Sequence, residues 1–135
     1  IMKKKVRLNI GDNLKSTIGG FSFGKNTPKN FDKHISKSVP LYNHGHEIIT
    51  KLSSFFLEKK STFYDLGCST GTLIKKIDAY NSSLKLNIIG IDLQKKMILK
   101  AKKKNLKNYN KANFKCLDIL KIKFKKSDLI TSYYT

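Results

Sequence analysis

The chain has 135 residues, with 28 Lys or Arg against 9 Asp or Glu and a formal net charge of +19. Hydrophobic residues at 39%, with eight Phe and six Tyr, suffice for one folded core, which excludes a disordered basic tail and a second domain. Because 27 of the basic residues are Lys and only Arg7 is Arg, the charge reads as AT-rich codon bias more than as a nucleic-acid reader, which favours the flat Arg fork.

In chain order, residues 1 to about 40 are polar, carry Gly19-Gly20, Gly24, Pro28 and Pro40, and predict an extended arm with at most a short helix near Phe31 to Lys37. From His46 onward Ile48, Ile49, Leu52, Phe55 and Phe56 fall on one face of a helix, the face expected to be buried. Thr62 to Leu66 is a short buried strand running into Gly67. Leu73, Ile74 and Ile77 predict the next helix, and Leu86 to Ile91 a second strand closed by Asp92. Met97, Ile98 and Ala101 mark one face of a Lys-covered helix; Asn113 to Leu117 is a third strand closed by Asp118, and a fourth begins at Asp128.

Strands and helices alternating at roughly 20 to 30 residues per repeat predict a parallel α/β sheet. Such sheets bind ligands at the carboxyl ends of their strands, where the strand order reverses. In a chain this poor in acids, Asp65, Asp92 and Asp118 all lie at those ends. Asp65-Leu66-Gly67-Cys68-Ser69-Thr70-Gly71 is a strand end, a turn and a helix start, in which Gly67 and Gly71 let a ligand approach the main chain. Asp92 is placed to accept hydrogen bonds from both ribose hydroxyls of a nucleoside. Asp118 is placed to meet an adenine amino group, with the Ile119 N–H available to a ring nitrogen, and Asp65 could face an ammonium, which a dinucleotide lacks.

These residues resemble the class I S-adenosylmethionine (SAM) methyltransferases, with Ser69 in place of the middle glycine of their first motif. Phe21-Ser22-Phe23, Phe31-Asp32-Lys33-His34-Ile35 and Lys37-Ser38-Val39-Pro40-Leu41-Tyr42, followed by Tyr64 to Ser69, are similar to the carboxy-SAM synthase family and its methyltransferase relatives, which act in modification of the tRNA wobble uridine. The resemblance covers roughly residues 21 to 135. It implies a Rossmann-like sheet truncated after about its fourth strand, with residues 1–40 as a cofactor lid and 41–135 as the first part of the SAM-binding domain. It further implies that Tyr42 contacts the cofactor, that Gly67, Cys68 and Ser69 line its methionine end, and that Asp92, Asp118 and Ile119 hold the nucleoside, with Leu93 and Tyr133 at neighbouring family positions. The synthase has Asn where this chain has Leu93, Gly-Ala-Ala where it has Gly71-Thr72-Leu73, and Asn near Tyr133. Its carboxylate-gripping arginine would fall beyond Thr135. These departures favour an ordinary methyl donor.

Methyl transfer is an in-line displacement that depends on positioning, with a general base only where the acceptor must lose a proton. His34 and Tyr42 are candidates for that base, and neither is assigned. Gly19 to Lys25 fits a phosphate loop, but Asn26 replaces the Ser or Thr and Pro28 is expected to spoil the following helix. His44-Gly45-His46 supplies only two local ligands, with His34 ten residues away, so no metal is expected. Cys68 reads as a cofactor-wall thiol, although a helix start could lower its pKa. The Lys-rich stretch Lys95 to Lys111 is a solvated face or an RNA contact. No membrane span or signal peptide is present and two cysteines make no disulfide framework, so a cytoplasmic protein is expected. A first residue of Ile suggests a partial reading frame or an unusual start codon. The leading expectation is a SAM-dependent methyltransferase acting on a small-molecule or tRNA acceptor. Carboxy-SAM synthesis, and a basic nucleic-acid-binding module without catalysis, stay open as alternatives.

Overall fold

The computed structural model describes residues 7–9, 15–17, 20–21, 27–105, 107 and 109–135, with side chains from residue 31 onward except at 34, 106 and 108. Two units divide the chain, Ile1–Pro40 and Leu41–Thr135.

In the first unit, β1 (Arg7–Asn9), β2 (Lys15–Thr17) and β3 (Gly20–Phe21) form an antiparallel sheet in that order, followed by α1 (Thr27–Ser38). The extended arm expected here is therefore replaced by a small sheet and a helix longer than the Phe31–Lys37 estimate. Pro28 does not spoil that helix. It is the second helical residue, where the N–H it lacks would have no intrahelical acceptor. Of the phosphate-loop match, Gly19 and residues 22–25 lie outside the described residues, as does the His34 side chain.

The second unit is α/β. Its elements are α2 (Tyr42–Leu52), β4 (Thr62–Leu66), α3 (Thr72–Tyr80), β5 (Asn87–Asp92), α4 (Lys95–Lys104), β6 (Ala112–Cys116) and β7 (Leu129–Ser132). All four strands run parallel in the order β6-β5-β4-β7. The chain steps outward from β4 to β5 and β6, then crosses back to the far side of β4 as β7. The reversal of strand order, and hence the crevice for a ligand, falls between β4 and β7.

Side chains alternate across this sheet with the period of two that a strand imposes. Phe63, Ile88 and Phe114 face α3 and α4, where they pack with Leu73, Ile74, Ile77, Ile98 and Ala101. Tyr64, Ile89 and Ile91 face the other way, against Leu66, Ile119 and Ile122. Full burial of each Phe or Ile contributes about 2 kcal/mol. Gly90 sits where the first layer is thinnest, since a Cβ there would lie 2.7 Å from Ile74 Cδ1 and 2.8 Å from Phe114 Cδ1.

Helix α2 departs from expectation. Ile48, Leu52, Phe55 and Phe56 are exposed, and the buried side chains of the helix are Tyr42, His46 and Thr50. This inner face is partly polar, and its hydroxyls are bonded locally. Thr50 Oγ1 donates to His46 O at 2.6 Å, Ser53 Oγ to Thr50 O at 2.6 Å, and Asn81 Nδ2 from the end of α3 to Ser53 Oγ at 2.9 Å. Hydrogen-bonded in this way, the Thr50 and Ser53 hydroxyls cost little to bury.

Asp78 is a second feature the pattern hides. Buried on the inner face of α3, it accepts from Tyr109 N at 2.8 Å, Asn110 N at 2.9 Å and Asn110 Nδ2 at 2.7 Å, and so pins the turn between α4 and β6. Asp78→Ala strands those donors and is expected to cost about 3 kcal/mol of stability, readable as a lower urea midpoint at unchanged slope.

Candidate functional site

The β4–α3 turn is built from backbone geometry that few side chains tolerate. Gly67 and Gly71 have φ of 69° and 72°, the left-handed region where a Cβ is costly. Ser69 lies there too, at φ 48°, which accounts physically for the glycine that occupies its place in the resembling motif. The Ser69 hydroxyl oxygen is buried with no hydrogen-bond partner. A buried polar atom left orphaned in a strained turn marks a surface shaped for something else to bind.

Asp92 closes on this turn from β5. Its carboxylate accepts from Ser69 N at 2.8 Å and from Gln94 N at 2.7 Å. Cys68 N donates to Ile91 O at 2.9 Å, and Leu117 N to Asp92 O at 3.1 Å. The ends of β4, β5 and β6 are thus laced together around one carboxylate. Each of its oxygens keeps a lone pair, since a carboxylate has about four acceptor positions and two are used.

Asp65 is buried at the end of β4, and Thr131 Oγ1 of β7 donates to its Oδ1 at 2.8 Å. Burial pushes its pKa up to about 7, with Thr131 pulling the other way and the Asp92 charge adding to the rise. Burial likewise raises the Cys68 thiol, reinforced by the charges of Asp65 and Asp92. The helix start does not activate Cys68, and the lowered pKa considered for it is overturned. It stands as a buried, neutral thiol.

Tyr42 and Tyr133 meet in an aromatic cluster with His46 and Tyr134, their own ring centroids 6.1 Å apart. Gly45 makes room for it, because a Cβ there would overlap the Tyr133 hydroxyl. His44 is exposed and His46 buried, so the two point to different faces of α2 and share no site. At the end of β6, Asp118 accepts from Leu120 N at 3.0 Å and approaches Lys121 Nζ at 4.0 Å. Leu93 is exposed beside Asp92, and Ile119 packs under the sheet against the Tyr64 layer.

The turn residues Gly67, Cys68, Ser69 and Gly71 therefore cluster with Asp65 and Asp92 at the switch point. Tyr42 and Tyr133 form a second group, and Asp118 and Ile119 flank from β6. Reading the sequence missed Thr131, which is only a Thr in a strand until the β4–β7 pairing sets it opposite Asp65. A groove of about 530 Å³ between α2 and α3 involves Lys76, Ala79 and Tyr80 at the last turn of α3, away from the strand ends. Among the described residues no helix is long and apolar enough to cross a membrane.

Residues 63–135 match the family model for a methyltransferase domain. Carboxy-S-adenosyl-L-methionine synthase of Wolinella succinogenes is 33% identical over 116 residues, covering 85% of this chain and 48% of that protein. The chain spans about half the length of the curated relatives it matches. A crystal structure of an S-adenosylmethionine-dependent methyltransferase from Clostridium acetobutylicum is 30% identical, with a TM-score of 0.56 over 76% of this chain and 40% of that one. The plantazolicin methyltransferase BpumL in complex with SAH, 23% identical with a TM-score of 0.56 over 80% of this chain and 41% of that one, shares the fold.

Proposed function

The chain belongs to the methyltransferase-domain family, and from that premise we propose that it holds SAM at the carboxyl ends of β4, β5 and β6 and serves transfer of the activated methyl group. The observation that carries this reading is the laced strand-end cluster: Asp92 held by the Ser69 and Gln94 amides, with the buried, unpartnered Ser69 hydroxyl beside it. The donor set suits the cofactor's parts. Asp92 would accept from the ribose, Asp118 and Ile119 would take the adenine edge, and Leu93 would cover the ring. Gly67, Cys68, Ser69 and Gly71 would line the methionine chain, and Asp65 would face its ammonium. Tyr42 and Tyr133 would border the reacting end.

When bound, SAM supplies an electrophilic methyl on a positively charged sulfur. This chain's part is to fix that methyl in line with an acceptor, which can supply much of the acceleration. Neutral Cys68 suits the role, since an ionised thiolate beside the sulfonium would compete for the methyl. The acceptor we favour is a small molecule or a tRNA in the cytoplasm. In the tRNA case the exposed Lys95, Lys96, Lys102 and Lys103 of α4 would meet phosphates.

Titration calorimetry of the chain with SAH tests the cofactor assignment. Saturable heat is expected, and its absence sinks the assignment. A second reading, carboxy-SAM synthesis, draws support from the similarity to the Wolinella protein. It predicts that the purified protein carries a ligand heavier than SAM by one carboxyl group, whereas unmodified SAM or SAH in the mass spectrum supports the methyl donor.

A further inference from the structure

We propose that Thr131 is a positioning residue for the cofactor's ammonium, acting by orienting the Asp65 carboxylate at the β4–β7 switch point. The proposal rests on the reading of Asp65 given above and adds the residue that makes its carboxylate usable.

Thr131 stands directly opposite Asp65 in the β4–β7 register, and both side chains are buried. Its hydroxyl lies 2.8 Å from Asp65 Oδ1 and 3.5 Å from Tyr64 O. A hydroxyl has one proton to give. While Asp65 is ionised, the short charge-assisted bond takes it. When Asp65 is protonated the roles exchange. The carboxyl donates to Thr131 Oγ1, and the Thr131 proton turns towards Tyr64 O. In both states Oδ1 is fixed, the carboxyl plane with it, and Oδ2 is left for a ligand.

The surroundings show why such a device is needed. Among the described residues Asp65 forms no ion pair. The charge acting on it is that of Asp92 from the end of β5, which opposes its ionisation, and the Cys68 thiol of the turn is itself raised by the Asp65 charge. The buried thiol supplies no positive charge. Among the described residues, Thr131 is the group that favours the charged carboxylate, and a ligand ammonium would complete the task. Strand propensity alone would be served equally well by Val at this buried position.

The test compares wild type, Thr131→Val and Thr131→Ser by calorimetry with two ligands: SAH, which has the amino-acid chain, and 5′-methylthioadenosine, which lacks it. Loss of one hydrogen bond to a charged group predicts a roughly tenfold weaker SAH affinity in Thr131→Val near neutral pH. Affinity for 5′-methylthioadenosine should be unchanged. The pH at which SAH affinity falls off on acidification should move upward in Thr131→Val, and Thr131→Ser should restore both properties. Equal weakening of the two ligands, or full SAH affinity in Thr131→Val, overturns the proposal. Wild type that takes neither ligand removes the cofactor assignment itself, and the role of Thr131 with it.

Discussion

Asp65→Asn is expected to make the protein more stable at pH 8 while abolishing binding of SAH. The carboxyl's pKa rises from an ordinary 3.8 to about 7 because the folded chain buries it. Between those values the native state keeps the proton that the unfolded chain releases. The native state binds more protons, so stability falls as pH rises from about 4 to about 7, then levels off. At about 1.4 kcal/mol per pKa unit, the full span corresponds to about 4 kcal/mol. Asn stays neutral throughout and still accepts the Thr131 hydrogen bond. Its advantage over Asp should therefore be absent near pH 4 and greatest above pH 7. Urea unfolding at several pH values reads this directly, and an Asn variant with the wild-type pH dependence would sink it. The same substitution removes the charge that would face an ammonium. Stability and binding thus pull in opposite directions at this position, the signature of a residue kept for function at the expense of fold.

How much of this was legible beforehand follows from what each signal depends on. The four parallel strands are legible because each is a short segment rich in apolar, aromatic or β-branched residues and bounded by turn residues. Thr62 to Leu66 matches β4, and Asp128 precedes β7 by one residue. The turn from Asp65 to Gly71 was legible because its glycine spacing answers a local backbone demand, which the positive φ of Gly67 and Gly71 bears out. Helix α2 departs from its apolar pattern. Apolar spacing alone puts Ile48, Leu52, Phe55 and Phe56 inside, whereas the buried positions carry Tyr42, His46 and Thr50, and the Ser53 hydroxyl just beyond them is bonded by Asn81, 28 residues away, a partner no sequence pattern shows. Asp78 and Thr131 were missed for a related reason. Each gains its meaning from a residue 31 or more positions away, through a contact that exists only once the strands are ordered. For Cys68, read as a wall thiol, the helix start that could lower its pKa is outweighed by burial and by the charges of Asp65 and Asp92.

The Asp92 variants separate the two jobs of the second-strand carboxylate. Asp92→Ala is expected to weaken SAH binding by 100-fold or more, about 3 kcal/mol, because two ribose hydroxyls would lose a charged acceptor. It should also lower stability by about 2 kcal/mol, since Ser69 N is part-buried and loses its acceptor, whereas Gln94 N is exposed and can turn to water. Asp92→Asn keeps one carbonyl oxygen, enough for Ser69 N but not for the amide of Gln94 and two ribose hydroxyls together. It should therefore fold at close to wild-type stability and still bind SAH poorly. Asp118→Ala gives the contrast. That carboxylate is half-exposed and caps a short turn through Leu120 N, so its loss should cost little in stability and fewer hydrogen bonds to the ligand. Wild-type SAH affinity in Asp92→Ala would mean that the Ser69 and Gln94 amides are the sole business of this carboxylate, and the nucleoside would have to be held elsewhere.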